Sequence, residues 1–150
     1  MLWVVLLLLT GAGLERLTRR PFLATRFGVL LAFFLGGGRL DGNLYGAPRL
    51  PAVGFRAAAQ TWGETVLVTP GVLEHPGASR LLGHEACHVA QYRRLTSFGF
   101  WFLYGCQWLA GLFRTRNPLQ AYLDIPLEVE ARAAERATPA LTPTCTAPFS

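Results

Sequence analysis

The chain has 150 residues, 51% of them hydrophobic and 15% charged, and a formal net charge of +5. That length carries one domain's worth of core. The charged fraction lies well below the roughly 25% usual in soluble domains, so some apolar surface is expected to face lipid or a partner. All 14 basic residues are arginine. They are scattered beside apolar runs and not interleaved with aromatics, which argues against nucleic-acid binding and suits an anionic membrane surface.

Residues 2–14, LWVVLLLLTGAGL, are apolar and are followed by Arg16, Arg19 and Arg20. The run is shorter than the roughly 20 residues a membrane-crossing helix needs. It also lacks the positive start and small-residue cleavage site of a secretory signal. A second apolar run, FGVLLAFFLGGG, covers 27–38, and Pro21 separates the two. Apolar N-terminal helices over 1–40 are therefore expected. The favoured reading is membrane association, the two short runs inserting as a hairpin with the arginines on the cytoplasmic side. The alternative is a pair of core helices in a cytoplasmic protein.

Residues 36–51, GGGRLDGNLYGAPRLP, read as loop. The stretches AVGFRAAA (52–59) and ETVLVTP (64–70), separated by QTWG, read as a hairpin. Ser79 is the best N-cap for a helix over 79–95. A second helix, SFGFWFLYGCQWLAGLF (97–113), is apolar nearly all round and is either buried or in contact with lipid. A third covers 118–137, with Pro126 entering it early or splitting it. The Thr- and Pro-rich residues 138–150 read as a disordered tail after a core over 41–137. Cys87, Cys106 and Cys145 form no CxxC pair. The first two read as small buried side chains. The fold class expected is α+β, mostly helical, with a short hairpin before the helix at 79–95.

That helix carries His84-Glu85-Ala86-Cys87-His88, an H-E-x-x-H motif. Residues four apart lie about 40° apart around a helix and one turn along it. Two imidazoles so placed can grip one Zn²⁺ at about 2.0–2.1 Å. Glu85 flanks such an ion and is placed to take a proton from its water. Leu81, Leu82, Ala86, Val89 and Ala90 make the helix largely apolar, a poor setting for two histidines without partners. A catalytic zinc site needs a third protein ligand. The longer H-E-x-x-H-x-x-G-x-x-H pattern fails, with Gln91 in the glycine position and Arg94 in that of the third histidine. His75 precedes the helix, so the third ligand is expected to be a carboxylate from PLEVEARAAE. Glu128 and Glu130 there point about 200° apart if helical. Pattern leans to Glu130, beside Leu127, Ala131 and Ala134, whereas Glu128 aligns with Arg132 and Glu135 as a charge ladder. The residues alone leave this choice open.

Over 64–137 the chain resembles a minimal zincin metallopeptidase of the gluzincin type, in which H-E-x-x-H on one helix is completed by a glutamate on a later one. Its H-E-x-x-H-x-x-Q followed by P-x-E-x-E-A-x-A is similar to small bacterial metallopeptidase-like domains. Membrane-bound gluzincins such as the CAAX prenyl protease family carry the third ligand in E-x-x-A-D. Aligned on its alanine, EVEAR implies Glu128 as the ligand. Arg132 then stands where the family has an aspartate that supports a zinc histidine. The chain also lacks the subdomain that forms the far wall of the cleft in larger zincins. Tyr104 and Tyr122 are loose candidates for oxyanion stabilisation, with core aromatics the ordinary reading. The resemblance further implies that 64–69 lines the cleft and pairs with an extended substrate.

The function expected is that of a zinc-dependent metallopeptidase acting on peptides or proteins. His84, His88 and Glu128 would be metal ligands and Glu85 the general base. A zinc-stabilised binding or scaffold module at the membrane, without turnover, is the alternative.

Overall fold

Small residues four apart set the first packing contact. In the computed structural model, which describes residues 11, 13–51 and 57–139, helix α1 covers 13–18 and α2 covers Phe22–Phe34. Helix α2 buries Ala24, Gly28 and Ala32. A Cβ on Gly28 would stand 2.6 Å from Trp62 Cβ, so the helix reaches the sheet only because none is there. Most of the apolar run at 2–14 lies outside the described residues.

The sheet has four short strands: β1 (Gly38–Asp41), β2 (Leu44–Gly46), β3 (Ala59–Trp62) and β4 (Thr65–Val68), in the order β1-β2-β4-β3. Strands β2 and β4 are parallel, and the other pairs are antiparallel. All four residues of β4 are buried, because helices cover both its faces. Thr65 lies under Gly28 of α2, and Leu67 packs with Ala32. Val66 and Val68 pack with Leu81, Leu82 and Val89 on the other side.

Three strand expectations are corrected. Residues 36–51 are not all loop, for β1 and β2 form a hairpin around Gly42, at φ 46°. Strands of three or four residues are too short to display alternation, so only the turn chemistry was visible. The hairpin before the H-E-x-x-H helix is present, but its first strand is Ala59–Trp62, displaced onto the expected linker. Residues 52–56 of the expected strand lie outside the described residues. Finally, β4 has a partner on each edge, so 64–69 offers no edge to a substrate; the outer strand is β3.

Helix α3 runs over Ala78–Thr115 with one break, at Thr96 (φ 65°, ψ 170°). Its N-cap is Gly77, not Ser79; the Ser79 hydroxyl instead donates to the Pro139 carbonyl at 3.0 Å. The Thr96 conformation is nearly reserved for glycine and costs on the order of 1–3 kcal/mol. A buried carboxylate offsets it. Glu15, 0% exposed, accepts from Ser97 N at 2.8 Å and Ser97 Oγ at 2.7 Å. It also accepts from Leu23 N at 2.7 Å, while Ser97 Oγ accepts from Ala24 N at 2.9 Å. Glu15 and Ser97 thereby cap both α2 and the second half of α3 (residues 97–115), whose first amides would otherwise be orphaned.

The expected third helix is two. Asn117 caps α4 (Pro118–Leu123), accepting from Leu119 N and Gln120 N at 3.0 and 3.1 Å. Pro126 is the first residue of α5 (Pro126–Ala137), where its missing N–H costs nothing. The break at Thr96 folds α3 back so that Phe100 stacks on Tyr92 at 3.8 Å, with Ile125 and Leu127 in the same cluster. Of the expected tail, Thr138 and Pro139 pack on α3, Thr138 over Gly83; residues 140–150 lie outside the described set. Cys106 is exposed, not buried, and Cys87 is half-buried. No helix among the described residues is long and apolar enough to cross a membrane.

Candidate metal centre

The first half of α3 points His84 and His88 toward α5, which presents Glu128 between them. The two histidine Nε2 atoms are 3.2 Å apart. Glu128 Oε2 is 3.5 Å from His84 Nε2, and Oε1 is 3.4 Å from His88 Nε2. Four donors at about 2.05 Å from a tetrahedral ion stand about 3.3 Å from one another. Each histidine nitrogen has about that spacing to the other and to one Glu128 oxygen, a different oxygen for each. One donor atom from each of the three residues lies within 4.8 Å of the others, so the group could hold a divalent ion. Two imidazoles and a carboxylate suit a divalent transition metal.

Glu128 is held from both sides. Tyr104 donates to Oε1 at 2.8 Å and Tyr122 to Oε2 at 3.1 Å. Burial pushes the carboxyl up, but hydrogen bonds from His84, His88 and Tyr104 override it and hold Glu128 well below the usual carboxylate range. Burial and the Glu128 charge push both phenols up, so they remain donors. The tyrosines expected as oxyanion candidates are therefore committed to the carboxylate. Arg132 also lies on this side, 3.8 Å from Oε2 and hydrogen-bonded to the Leu123 carbonyl.

Gln91 orients His88. Its Nε2 donates to the Leu127 carbonyl at 2.9 Å and Glu130 Oε2 at 3.0 Å, which fixes the amide. Its Oε1 then faces His88 Nδ1 at 2.8 Å and can only accept. An imidazole proton therefore sits on Nδ1, and Nε2 is the ring atom turned toward His84 and Glu128. Glu135 Oε2 lies 3.4 Å from His84 Nδ1, without the alignment of a hydrogen bond. Glu135 brings a carboxylate to a site histidine from about one turn beyond Arg132.

Glu85 is 4% exposed, and Thr61 of β3 donates to its Oε2 at 2.6 Å. Burial is the largest influence and pushes its carboxyl up. The packing thus gathers His84, Glu85, His88 and Glu128. Glu130 turns away to Arg94 at 3.1 Å and to Gln91. His75 is also elsewhere, accepting from Gly77 N before α3. Sequence reasoning missed Thr61, hidden in a stretch read as linker, and the position of Glu135, read as part of a charge ladder.

Compared with family models, with curated proteins and with solved structures, the chain matches none. The functional reading rests on the chemistry of the site itself.

Proposed function

We propose that the protein is a zinc-dependent metallopeptidase, with His84, His88 and Glu128 as ligands. The observation that carries this reading is the pair of histidine Nε2 atoms 3.2 Å apart, each facing its own Glu128 oxygen at 3.5 and 3.4 Å, beside a buried glutamate. Zinc, when bound, supplies Lewis acidity to water and to a peptide carbonyl. The chain supplies the proton handling. Thr61 occupies Glu85 Oε2, leaving Oε1 to take a proton from water and return it to the leaving amine. A raised carboxyl pKa suits a group that must both accept and give back that proton near neutral pH. The outer edge of β3, the strand that carries Thr61, has no strand partner among the described residues. An extended peptide added there would pass close to Glu85.

Metal analysis combined with a Glu85→Gln variant tests the proposal. The expected result is about one zinc per chain in both proteins and peptide cleavage only in the parent. Less than about 0.1 zinc per chain at neutral pH would end the zinc reading. Bound zinc with a biological role unchanged by Glu85→Gln would instead favour the scaffold module.

A further inference from the structure

Two helices start at one buried carboxylate and leave it side by side. Glu15 accepts from Leu23 N in the first turn of α2 and from Ser97 N at the start of the second half of α3. Four residues further along each helix, Phe27 and Trp101 flank the Trp62 ring, with centroids at 4.8 and 4.9 Å. Trp62 therefore sits between two helices that run the same way.

Their outer faces are apolar and uncovered among the described residues. On α2, Phe27, Leu30 and Phe34 fall on one face and reach 88% exposure at Phe34. On α3, Phe98, Phe102, Leu109 and Phe113 do the same, with 82% at Phe113. Single exposed apolar side chains are ordinary; two ribs joined through three aromatic rings form a patch that calls for a partner.

The charge lies at the end where the ribs begin. Arg16, Arg19, Arg93, Arg94 and Thr96 line a cavity of about 650 Å³ there. Arg93 and Arg94 are ion-paired with Glu64 and Glu130. Arg16, Arg19 and Arg20 are exposed and have no acidic partner among the described residues.

We propose that this face docks on an anionic lipid bilayer, with lipid phosphates at the arginine cavity and the two ribs laid into the acyl boundary. A basic end joined to apolar helical faces complements a negative headgroup layer above hydrocarbon. Such helices lie in the interface, their apolar faces about 5–10 Å deep, and need no membrane-crossing length. The proposal is independent of the metallopeptidase reading.

Vesicle co-sedimentation of the full chain tests it, using phosphatidylcholine vesicles with and without about 30% phosphatidylglycerol. Binding to the anionic vesicles is expected to be at least about tenfold tighter and to weaken in about 0.5 M salt. Arg16→Glu with Arg19→Glu should abolish that preference. Phe34→Ser with Phe98→Ser should weaken binding to anionic vesicles at least about fivefold, with helix content unchanged in both variants. Equal binding to both vesicle types, or none, overturns the proposal. Unchanged binding by the Phe34/Phe98 variant would assign the attraction to another segment, such as residues 2–9, and also overturn it. So would a dimer that this variant dissociates, in a chain that ignores vesicles.

Discussion

The Ser97 amide donates to the Glu15 carboxylate at 2.8 Å across 82 residues of chain, joining the first described helix to the turn that redirects α3. Three donors converge on that carboxylate. Buried hydrogen bonds to a charged group contribute about 1.5–3 kcal/mol each, and the orphaned donors cost more. Glu15→Ala is expected to lower unfolding free energy by about 3–5 kcal/mol, and Glu15→Gln by about 1–3 kcal/mol, in urea titrations. A loss below about 0.5 kcal/mol for the alanine variant would contradict the capping role.

Thr96→Gly should act in the opposite sense. Glycine adopts φ 65°, ψ 170° without the steric cost a threonine bears, although it adds freedom to the unfolded chain. The net expectation is a gain of about 1 kcal/mol, read as a higher urea midpoint at constant slope. A lower midpoint would mean that the threonine is not strained.

Tyr104→Phe removes the 2.8 Å donor to Glu128 Oε1 and leaves the ring stack with Phe100 in place. Groups that orient a metal ligand contribute about 10–100-fold to affinity. A chelator competition should show zinc held about tenfold or more weakly, with unfolding in urea little changed. Equal affinity would mean that Tyr104 is only a core aromatic.

Glu128→Gln and Glu130→Gln separate the two acids. The first should lose zinc at neutral pH, because a neutral amide replaces the carboxylate beside both Nε2 atoms. The second should retain it, since Glu130 faces Arg94 and reaches the site only through Gln91. Inductively coupled plasma measurement of zinc per chain decides, and the reverse pattern would overturn the ligand assignment.

Much of the helical layout was legible because it depends on local pattern. The break between 95 and 97, the split at Pro126 and the H-E-x-x-H face all follow from residues within a turn or two of one another. The choice of Glu128 was not, because it depends on which face α5 turns to α3, a matter of how Leu127 and Ala131 pack. Periodicity ranks Glu130 first by counting neighbours on its own helix, and only the resemblance to gluzincin motifs implies Glu128. Glu15 gave no signal at all, being a lone acid among apolar and basic residues whose partners lie up to 82 positions away. Thr61 was obscured for a related reason: a four-residue strand is identified by the neighbour it pairs with, not by its composition.

Adjacent residues of β3 look in opposite directions, Thr61 toward Glu85 and Trp62 toward the rings of Phe27 and Trp101. A slip of this strand by a single position against β4 would exchange them, setting a bulky indole where a hydroxyl steadies the acid. The Gly63 turn, at φ 68° beneath Thr25, thus acts as the latch that keeps the oily exterior and the polar interior from trading places.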